Sequence, residues 1–181
     1  VKNYPHWWLK RKRHSLPQNQ FVHALNYFNE PVFSVVYDLK SDKFYFNTYS
    51  GMFELSTKDS LPSLLPEPDC VLSDLILFNH KLLLITKDKK ILEWNGKKYI
   101  NAYPSLPNAI YYQSEEFEKQ LWLLASDALY TFFNNKWQKY DNRIGIQFDN
   151  VNSMYVNQNQ IYVNDGDYII RFPTSLYDQR L

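Results

Sequence analysis

Short apolar segments recur along the chain at a nearly constant spacing. Four of them begin at residues 44, 82, 121 and 161, so successive segments start 38, 39 and 40 residues apart. A second apolar or aromatic segment begins eight or nine residues later in each case, at residues 52, 91, 129 and 169. Turn formers separate the two members of each pair: Ser50-Gly51, Lys87-Asp88-Lys89, Ser126-Asp127 and Asp165-Gly166-Asp167. The pattern predicts a β-hairpin that is repeated four times.

Each hairpin is accompanied by further strand-like runs. One run precedes every hairpin, at residues 32–39, 71–78, 109–113 and 151–156, and two hairpins are followed by another, at residues 97–100 and 136–140. In the third repeat, the charged residues 114–119 predict a loop insertion between the first and second strands. Four short antiparallel strands in about 40–45 residues are typical of one blade of a β-propeller.

The predicted fold is therefore all-β: a β-propeller of four-stranded antiparallel blades, with about four blades or as an arc of a larger propeller. We expect residues 1–181 to form a single propeller region, and we place the blade repeats near 31–58, 70–101, 108–140 and 150–172. Residues 8–19 are similar in pattern to residues 94–98 followed by 105–108, and we expect residues 4–19 to form outer strands of a shared or preceding blade. A shared blade would close a four-bladed ring; we favour the arc, because four blades are the lower limit of the architecture.

Composition narrows the function classes. Aromatic residues make up 18% of the chain, which suits the half-buried surface of a sheet. The formal net charge of +1 provides no field that would gather nucleic acid, so we expect no nucleic-acid partner. The longest mainly apolar run, near residues 82–85, is far shorter than the roughly 20 residues of a membrane helix, which argues against direct membrane insertion.

The sequence contains no pattern of catalytic, metal-binding or cofactor-binding residues. The four histidines are dispersed without a ligand spacing, Cys70 is the only cysteine, and no serine lies in a G-x-S-x-G motif. The glycines at 51, 96, 145 and 166 are too far apart for a phosphate-binding loop. Glu115, Glu116 and Glu118 are interpreted as part of the solvated insertion rather than as a catalytic pair. We therefore expect a protein that is not an enzyme and that has no metal site and no cofactor.

If the propeller binds a ligand, we expect the binding site at one end of the blades. Turns between second and third strands emerge on the same face as the connectors between blades, so their side chains converge around the axis. The candidate ligand-binding residues are Tyr49, Lys87, Asp127 and Asp165. Together they can stack on the apolar face of a sugar and hydrogen-bond its hydroxyls. Any propeller places polar turn residues there, so a purely structural role for these four stays open.

The hairpins resemble the two-component regulator propeller repeat, which is found in the sensor regions of bacterial hybrid two-component systems. The matching stretches are residues 43–55, 81–94, 120–140 and 160–172, and the connectors Ser15-Leu16-Pro17-Gln18-Asn19 and Ser105-Leu106-Pro107-Asn108 resemble the loop into the next blade. The Gly-rich turn of that repeat survives only as Ser50-Gly51 and Asp165-Gly166, and its Trp only as Trp122.

The resemblance implies a sensor region in the periplasm or outside the cell. It also implies further domains in a longer chain. Our leading hypothesis is a non-catalytic, ligand-sensing propeller that binds an oligosaccharide or relays binding to a partner domain. The alternative is a protein–protein interaction scaffold of a cell-surface complex, with a protein partner instead of a sugar. A propeller hydrolase or lyase ranks third, because the sequence shows no acid–base pair.

Overall fold

The computed structural model describes residues 28, 30–103, 106, 108–144, 147–157, 160–164 and 166–173. These residues contain fifteen β-strands in four antiparallel sheets. The predicted outer strands at residues 4–19 lie outside the described residues.

Each sheet is a meander of consecutive strands, which we call blades 1 to 4. Blade 1 contains β1 (Val32–Asp38), β2 (Lys43–Thr48), β3 (Gly51–Ser56) and β4 (Ser63–Leu64). Blade 2 contains β5 (Leu72–Phe78), β6 (Lys81–Thr86), β7 (Ile91–Trp94) and β8 (Tyr99–Asn101). Blade 3 contains β9 (Tyr111–Phe117), β10 (Gln120–Ala125), β11 (Leu129–Phe133) and β12 (Lys136–Tyr140). Blade 4 contains, in the described part of the chain, β13 (Ser153–Asn157), β14 (Gln160–Asn164) and β15 (Ile169–Pro173). Two 3-10 helices, Asn142–Ile144 and Phe148–Asn150, connect blades 3 and 4.

The blades contact one another in sequence order through their first strands. β1 lies against β5, β5 against β9, and β9 against β13. Successive meanders whose first strands are innermost form a four-bladed β-propeller arrangement. The predicted all-β propeller of antiparallel blades is confirmed.

The second strand of each central blade is buried on both faces. In β6, Leu82 and Leu84 pack against blade 1, whereas Leu83 and Ile85 pack against blade 3. Alternate residues of a strand point to opposite faces, so a strand with a neighbouring blade on each side needs apolar residues at every position. The same reason explains why the five residues of β10 that follow Gln120 are all apolar and buried. These uninterrupted apolar runs were the strongest signal in the sequence.

One local prediction was wrong. Residues 114–117, interpreted as part of a loop insertion, belong to β9, and Glu118-Lys119 forms a two-residue turn with φ of 50° and 62°. Both values are in the left-handed region that tight hairpin turns require. β9 is an innermost strand, and its Gln113 and Ser114 hydrogen-bond across the blade interfaces, to Met154 and Asp74. Sequence analysis also missed β4, which is only two residues long.

Candidate functional site

Two kinds of loop meet at one end of the blades, and we call this end the turn face. They are the turns between second and third strands and the connectors that enter the first strands. The backbone N–H of Lys87 donates to the carbonyl of Val71 at 2.8 Å, and that of Ser126 donates to Ile110 at 2.8 Å. The hydroxyl of Ser126 also accepts the N–H of Ile110 at 3.2 Å. These bonds hold connector and turn together in blades 2 and 3.

Tyr49 lies in the turn of blade 1 and is 75% exposed. Its ring meets the ring of Phe33 edge to face, with 4.5 Å between centroids. The turn is fixed by Thr48, whose hydroxyl donates to the carbonyl of Gly51 at 3.1 Å, and by Glu30, whose carboxylate accepts the Ser50 N–H at 3.2 Å. Gly51 has φ of +127°, a conformation that disfavours any side chain. Tyr49 is therefore an exposed aromatic ring on a rigid turn.

Lys87 is exposed in the turn of blade 2, where the other charged side chains have local partners. Lys90 Nζ lies 2.6 Å from Asp88 Oδ2, and this hydrogen bond lowers the pKa of Asp88 and raises that of Lys90. Lys89 Nζ donates to the side-chain oxygen of Asn108 in the next connector. The turn of blade 2 is thus linked to the connector between blades 2 and 3.

Asp127 lies in the turn of blade 3, and its carboxylate is held by its own blade. It accepts a hydrogen bond from the Tyr130 hydroxyl at 3.0 Å and pairs with Lys139 Nζ at 2.7 Å. Burial raises the pKa of Tyr130 to about 12, with a further contribution from the Asp127 hydrogen bond. The hydrogen bond to Asp127 raises the pKa of Lys139. The Asp127 side chain is 41% exposed, so it can accept another hydrogen bond while its charge is paired with that of Lys139.

The three described candidates therefore lie in equivalent turns on the same face, although Tyr49 and Asp127 contact residues of their own blades. Asp165 lies outside the described residues. Its turn in blade 4 continues into Tyr168 and Ile169, which are 73% and 72% exposed.

Sequence reasoning missed a set of apolar residues on the turn face. The pairing of the first two strands is interrupted by a β-bulge at the same place in blades 1, 2 and 3. The extra residues are Phe33, Ser73 and Tyr112, and both aromatic ones are partly exposed, at 45% and 42%. Further large apolar residues exposed at this face are Val71, Ile110, Tyr168 and Ile169. The sequence signal for these residues is a pair of bulky side chains at the start of a strand, Val32-Phe33 in β1 and Tyr111-Tyr112 in β9. In a regular strand the two would point to opposite faces of the sheet, and the bulge is what directs the second residue of each pair outward.

The residues that follow the bulges connect the blades. Asp74 Oδ2 accepts hydrogen bonds from the backbone N–H and the hydroxyl of Ser114, at 2.8 and 2.9 Å. Gln113, at the equivalent position of blade 3, bonds both backbone groups of Met154. The first strand of a blade has no neighbouring strand at its inner edge, so its backbone N–H and C=O groups there need other partners. The side chains of Asp74 and Gln113 provide such partners for Ser114 and Met154. They build the rigid support of the turn face.

The described residues contain no cluster of three or more histidine, cysteine, aspartate or glutamate side chains suited to a metal ion. Burial raises the pKa of Cys70, which disfavours the thiolate that acts as a nucleophile. No helix in the described part of the chain has the length and apolarity needed to span a bilayer. The arrangement at the turn face is suited to binding through stacking and hydrogen bonds.

Comparison with solved structures finds similar folds in extracellular domains of bacterial two-component systems. An extracellular domain of Bacteroides origin (B. thetaiotaomicron), described as part of a hybrid two component system, matches 81% of this chain and 20% of its own, with 19% identity and a TM-score of 0.65. A second such domain from the same organism matches 74% of this chain and 20% of its own, with 14% identity and a TM-score of 0.59. The resemblance to propellers of two-component sensors is confirmed at the level of the fold.

A computationally designed protein, Ika4, is also similar: it matches 81% of this chain and 92% of its own, with 6% identity and a TM-score of 0.61. The chain thus spans about a fifth of the two Bacteroides extracellular domains but most of the designed protein. No protein-family model and no curated protein matches the sequence.

Proposed function

We propose that this chain is a non-catalytic, ligand-sensing propeller of a bacterial sensor, located in the periplasm or outside the cell, and that its turn face binds a glycan. The observation that carries the proposal is the convergence of exposed aromatic rings and locally fixed polar groups on one face. The fold shared with the extracellular domains of two-component systems supports the same function.

The chemistry of the turn face suits a carbohydrate. Tyr49 presents an aromatic ring that can cover the C–H face of a sugar, while its hydroxyl remains available to water or ligand. Lys87 and Asp127 add a donor and an acceptor near the surface, and Asp165 belongs to the same turn of blade 4. Because the turns are held by backbone hydrogen bonds, little conformational entropy is lost when they bind.

Titration calorimetry of the chain against a panel of soluble polysaccharides tests the proposal. We expect measurable heat with at least one sugar and a weaker affinity for Tyr49→Ala and Lys87→Ala. Phe133→Ala is the matched control, because Phe133 is 42% exposed but lies at the end of β11, on the opposite side of the blade from the turn face. The absence of binding to every sugar, with a folded protein, would contradict the proposal.

A protein partner is the second candidate, favoured by the number of large apolar side chains exposed on the same face. Contiguous apolar surface on a folded protein is typical of interaction sites. Such a scaffold would capture a stable protein partner through the turn face while all sugars remain without effect. A pull-down in which Tyr49→Ala and Ile110→Asp abolish capture, beside an inert sugar panel, would favour this candidate.

A further inference from the structure

We propose that the turn of blade 1 binds an amino sugar whose amine is free and protonated, with the sugar ring against Tyr49 and its ammonium group against the Glu30 carboxylate. This inference rests on the proposed function and specifies the class of its ligand. It follows from features of a single blade: two perpendicular aromatic rings, a fixed carboxylate beside them and the acidic character of the segments that carry them.

Phe33 and Tyr49 form an exposed aromatic corner. Their ring planes stand at 83° with 4.5 Å between the centroids, so each ring holds the other in place. The bulge of β1 directs Phe33 outward, whereas its neighbour Val32 is buried. An ammonium group near the face of an aromatic ring is attracted by the negative charge density of that face, and the apolar side of a sugar ring can stack on the same surface.

The Glu30 carboxylate is held next to this corner by neutral groups. Its Oε1 accepts the backbone N–H of Ser50, the residue that follows Tyr49, at 3.2 Å. Hydrogen bonding with Thr48 and then with Ser50 lowers the pKa of Glu30, so the group is ionised at neutral pH. None of the ion pairs within the described part of the chain involves Glu30. Glu30 therefore presents a full negative charge beside two aromatic rings.

The segments around the corner favour a cation over an anion. Blade 1 reaches the turn face with residues 30–33, 48–52 and 65–68, which contain Glu30 and Glu67 but no lysine, arginine or histidine. The exposed Lys87 belongs to the turn of blade 2. An anionic sugar would meet like charge at blade 1, whereas an ammonium group gains a charge-assisted hydrogen bond to Glu30.

A sugar ring can use the aromatic and the acidic part of this site at once. In an amino sugar the amine is attached directly to the ring, so a ring that stacks on Tyr49 brings its ammonium group to the edge of the aromatic surface, within reach of Glu30. A lysine side chain carries its ammonium group on a flexible stem without a flat apolar face, and it loses more conformational entropy when it binds. The geometry therefore favours an amino sugar over a cationic peptide.

Two hexasaccharides that differ only in charge test the inference by titration calorimetry. One is a hexamer of glucosamine, and the other is the same hexamer with every amine acetylated and therefore neutral. At about pH 5.5, where the amines are protonated and Glu30 is ionised, we expect the charged hexamer to bind at least about tenfold more tightly. Its affinity should fall as NaCl is raised from about 50 to 500 mM, because the ion pair with Glu30 is screened.

Three variants connect the preference to blade 1. Glu30→Gln keeps an acceptor for the Ser50 N–H but removes the charge, so the two hexamers should then bind within about threefold of each other. Phe33→Leu keeps apolar bulk without a ring and should weaken binding of the charged hexamer by about two- to fivefold. Glu118→Gln, the matched control, removes the same charge from an exposed turn at the opposite end of blade 3 and should leave the preference unchanged. Circular dichroism checks that every variant is folded.

The outcomes separate this inference from the proposed function. Equal binding of the two hexamers, tighter binding of the acetylated one, or an unchanged preference in Glu30→Gln would overturn the inference and leave a glycan site in place. A hexamer of lysine that binds as tightly as the charged sugar would also overturn it, because charge alone would then be sufficient. If neither hexasaccharide binds, the inference fails, and the proposed function fails with it only when the panel of polysaccharides is without effect as well.

Discussion

Gln113 on β9 holds the backbone of Met154 on β13 through both ends of its side-chain amide. Its Nε2 donates to the Met154 carbonyl oxygen at 2.6 Å, and its Oε1 accepts the Met154 N–H at 2.9 Å. Gln113 is buried, and the two residues belong to the first strands of adjacent blades. The side chain therefore replaces a strand neighbour that the inner edge of β13 does not have.

We predict that Gln113→Leu lowers the free energy of unfolding by about 2–4 kcal/mol, because both backbone groups of Met154 lose their partner in a buried position. Urea denaturation measures the change. Gln147→Ala, at an exposed position, is the control and should stay within about 0.5 kcal/mol of the unchanged chain. Equal stability of Gln113→Leu and the unchanged chain would show that the two hydrogen bonds contribute nothing net.

Gln113→Glu should make stability depend on pH. A carboxylate cannot donate to the Met154 carbonyl, and it would also face Glu115, whose Oε1 accepts a hydrogen bond from Gln113 at 2.9 Å. The neutral acid is therefore favoured in the folded state, and its pKa would exceed the ordinary value. Such a group is protonated in both states at low pH, so the variant should lose stability, relative to the unchanged chain, as the pH rises above about 4.3. Urea midpoints of both proteins between pH 4 and pH 8 measure this difference, and parallel curves would contradict it.

Asp74 provides the equivalent connection between blades 2 and 3, and its removal should also be costly. Asp74→Ala leaves the N–H and hydroxyl of Ser114 without this acceptor, so we predict a loss of about 2–3 kcal/mol in the free energy of unfolding. Asp74→Asn keeps one acceptor oxygen and should lose less. Asp59→Ala, at an exposed position, is the control in the same denaturation experiment. An Asp74→Asn protein as unstable as Asp74→Ala would contradict this explanation.

Leu84 packs between blades 1 and 2 and is fully buried. Leu84→Ala should lower the free energy of unfolding by about 2–5 kcal/mol, because the transfer free energy is lost and a cavity remains. Leu39→Ala removes the same atoms at a position that is 64% exposed and should have little effect. Thermal or urea unfolding measures the stability of both variants. A similar loss of stability in Leu84→Ala and Leu39→Ala would contradict the packing of Leu84 between the blades.

Alkaline pH should destabilise the protein through its tyrosines. Burial raises the pKa of Tyr99, Tyr103 and Tyr130 to about 12 and that of Tyr111 still higher. The folded state favours the neutral form of these tyrosines. Their contribution to the free energy of unfolding is therefore fully present below the pKa of about 10 that tyrosine has in the unfolded chain, and it is lost as the pH rises above that value. Melting temperatures should fall steadily above about pH 10, and the absorbance of tyrosinate should appear late, together with unfolding. Titration of all tyrosines near pH 10 in the folded protein would contradict this expectation.

The hairpins were predictable because their determinants are local. The turn formers at Ser50-Gly51 and Ser126-Asp127 lie between short segments rich in apolar and aromatic residues, and both signals are visible along the chain without reference to distant contacts. β9 was not predictable in full, because Gln113 and Ser114 are stable in a strand only through partners about 40 residues away in the chain, Met154 and Asp74. The outward positions of Phe33 and Tyr112 depend on bulges, which appear only when two strands pair.

The sequence by itself determined the all-β class, the repeated hairpin and the propeller architecture, because these follow from the spacing of apolar residues and turn formers along the chain. It also indicated the turns that carry Tyr49, Lys87 and Asp127. Only the tertiary structure decided which charges are neutralised, which aromatic rings are exposed on the turn face and how one blade holds the next. Those features depend on contacts between residues that are distant in the chain, and no local pattern encodes them.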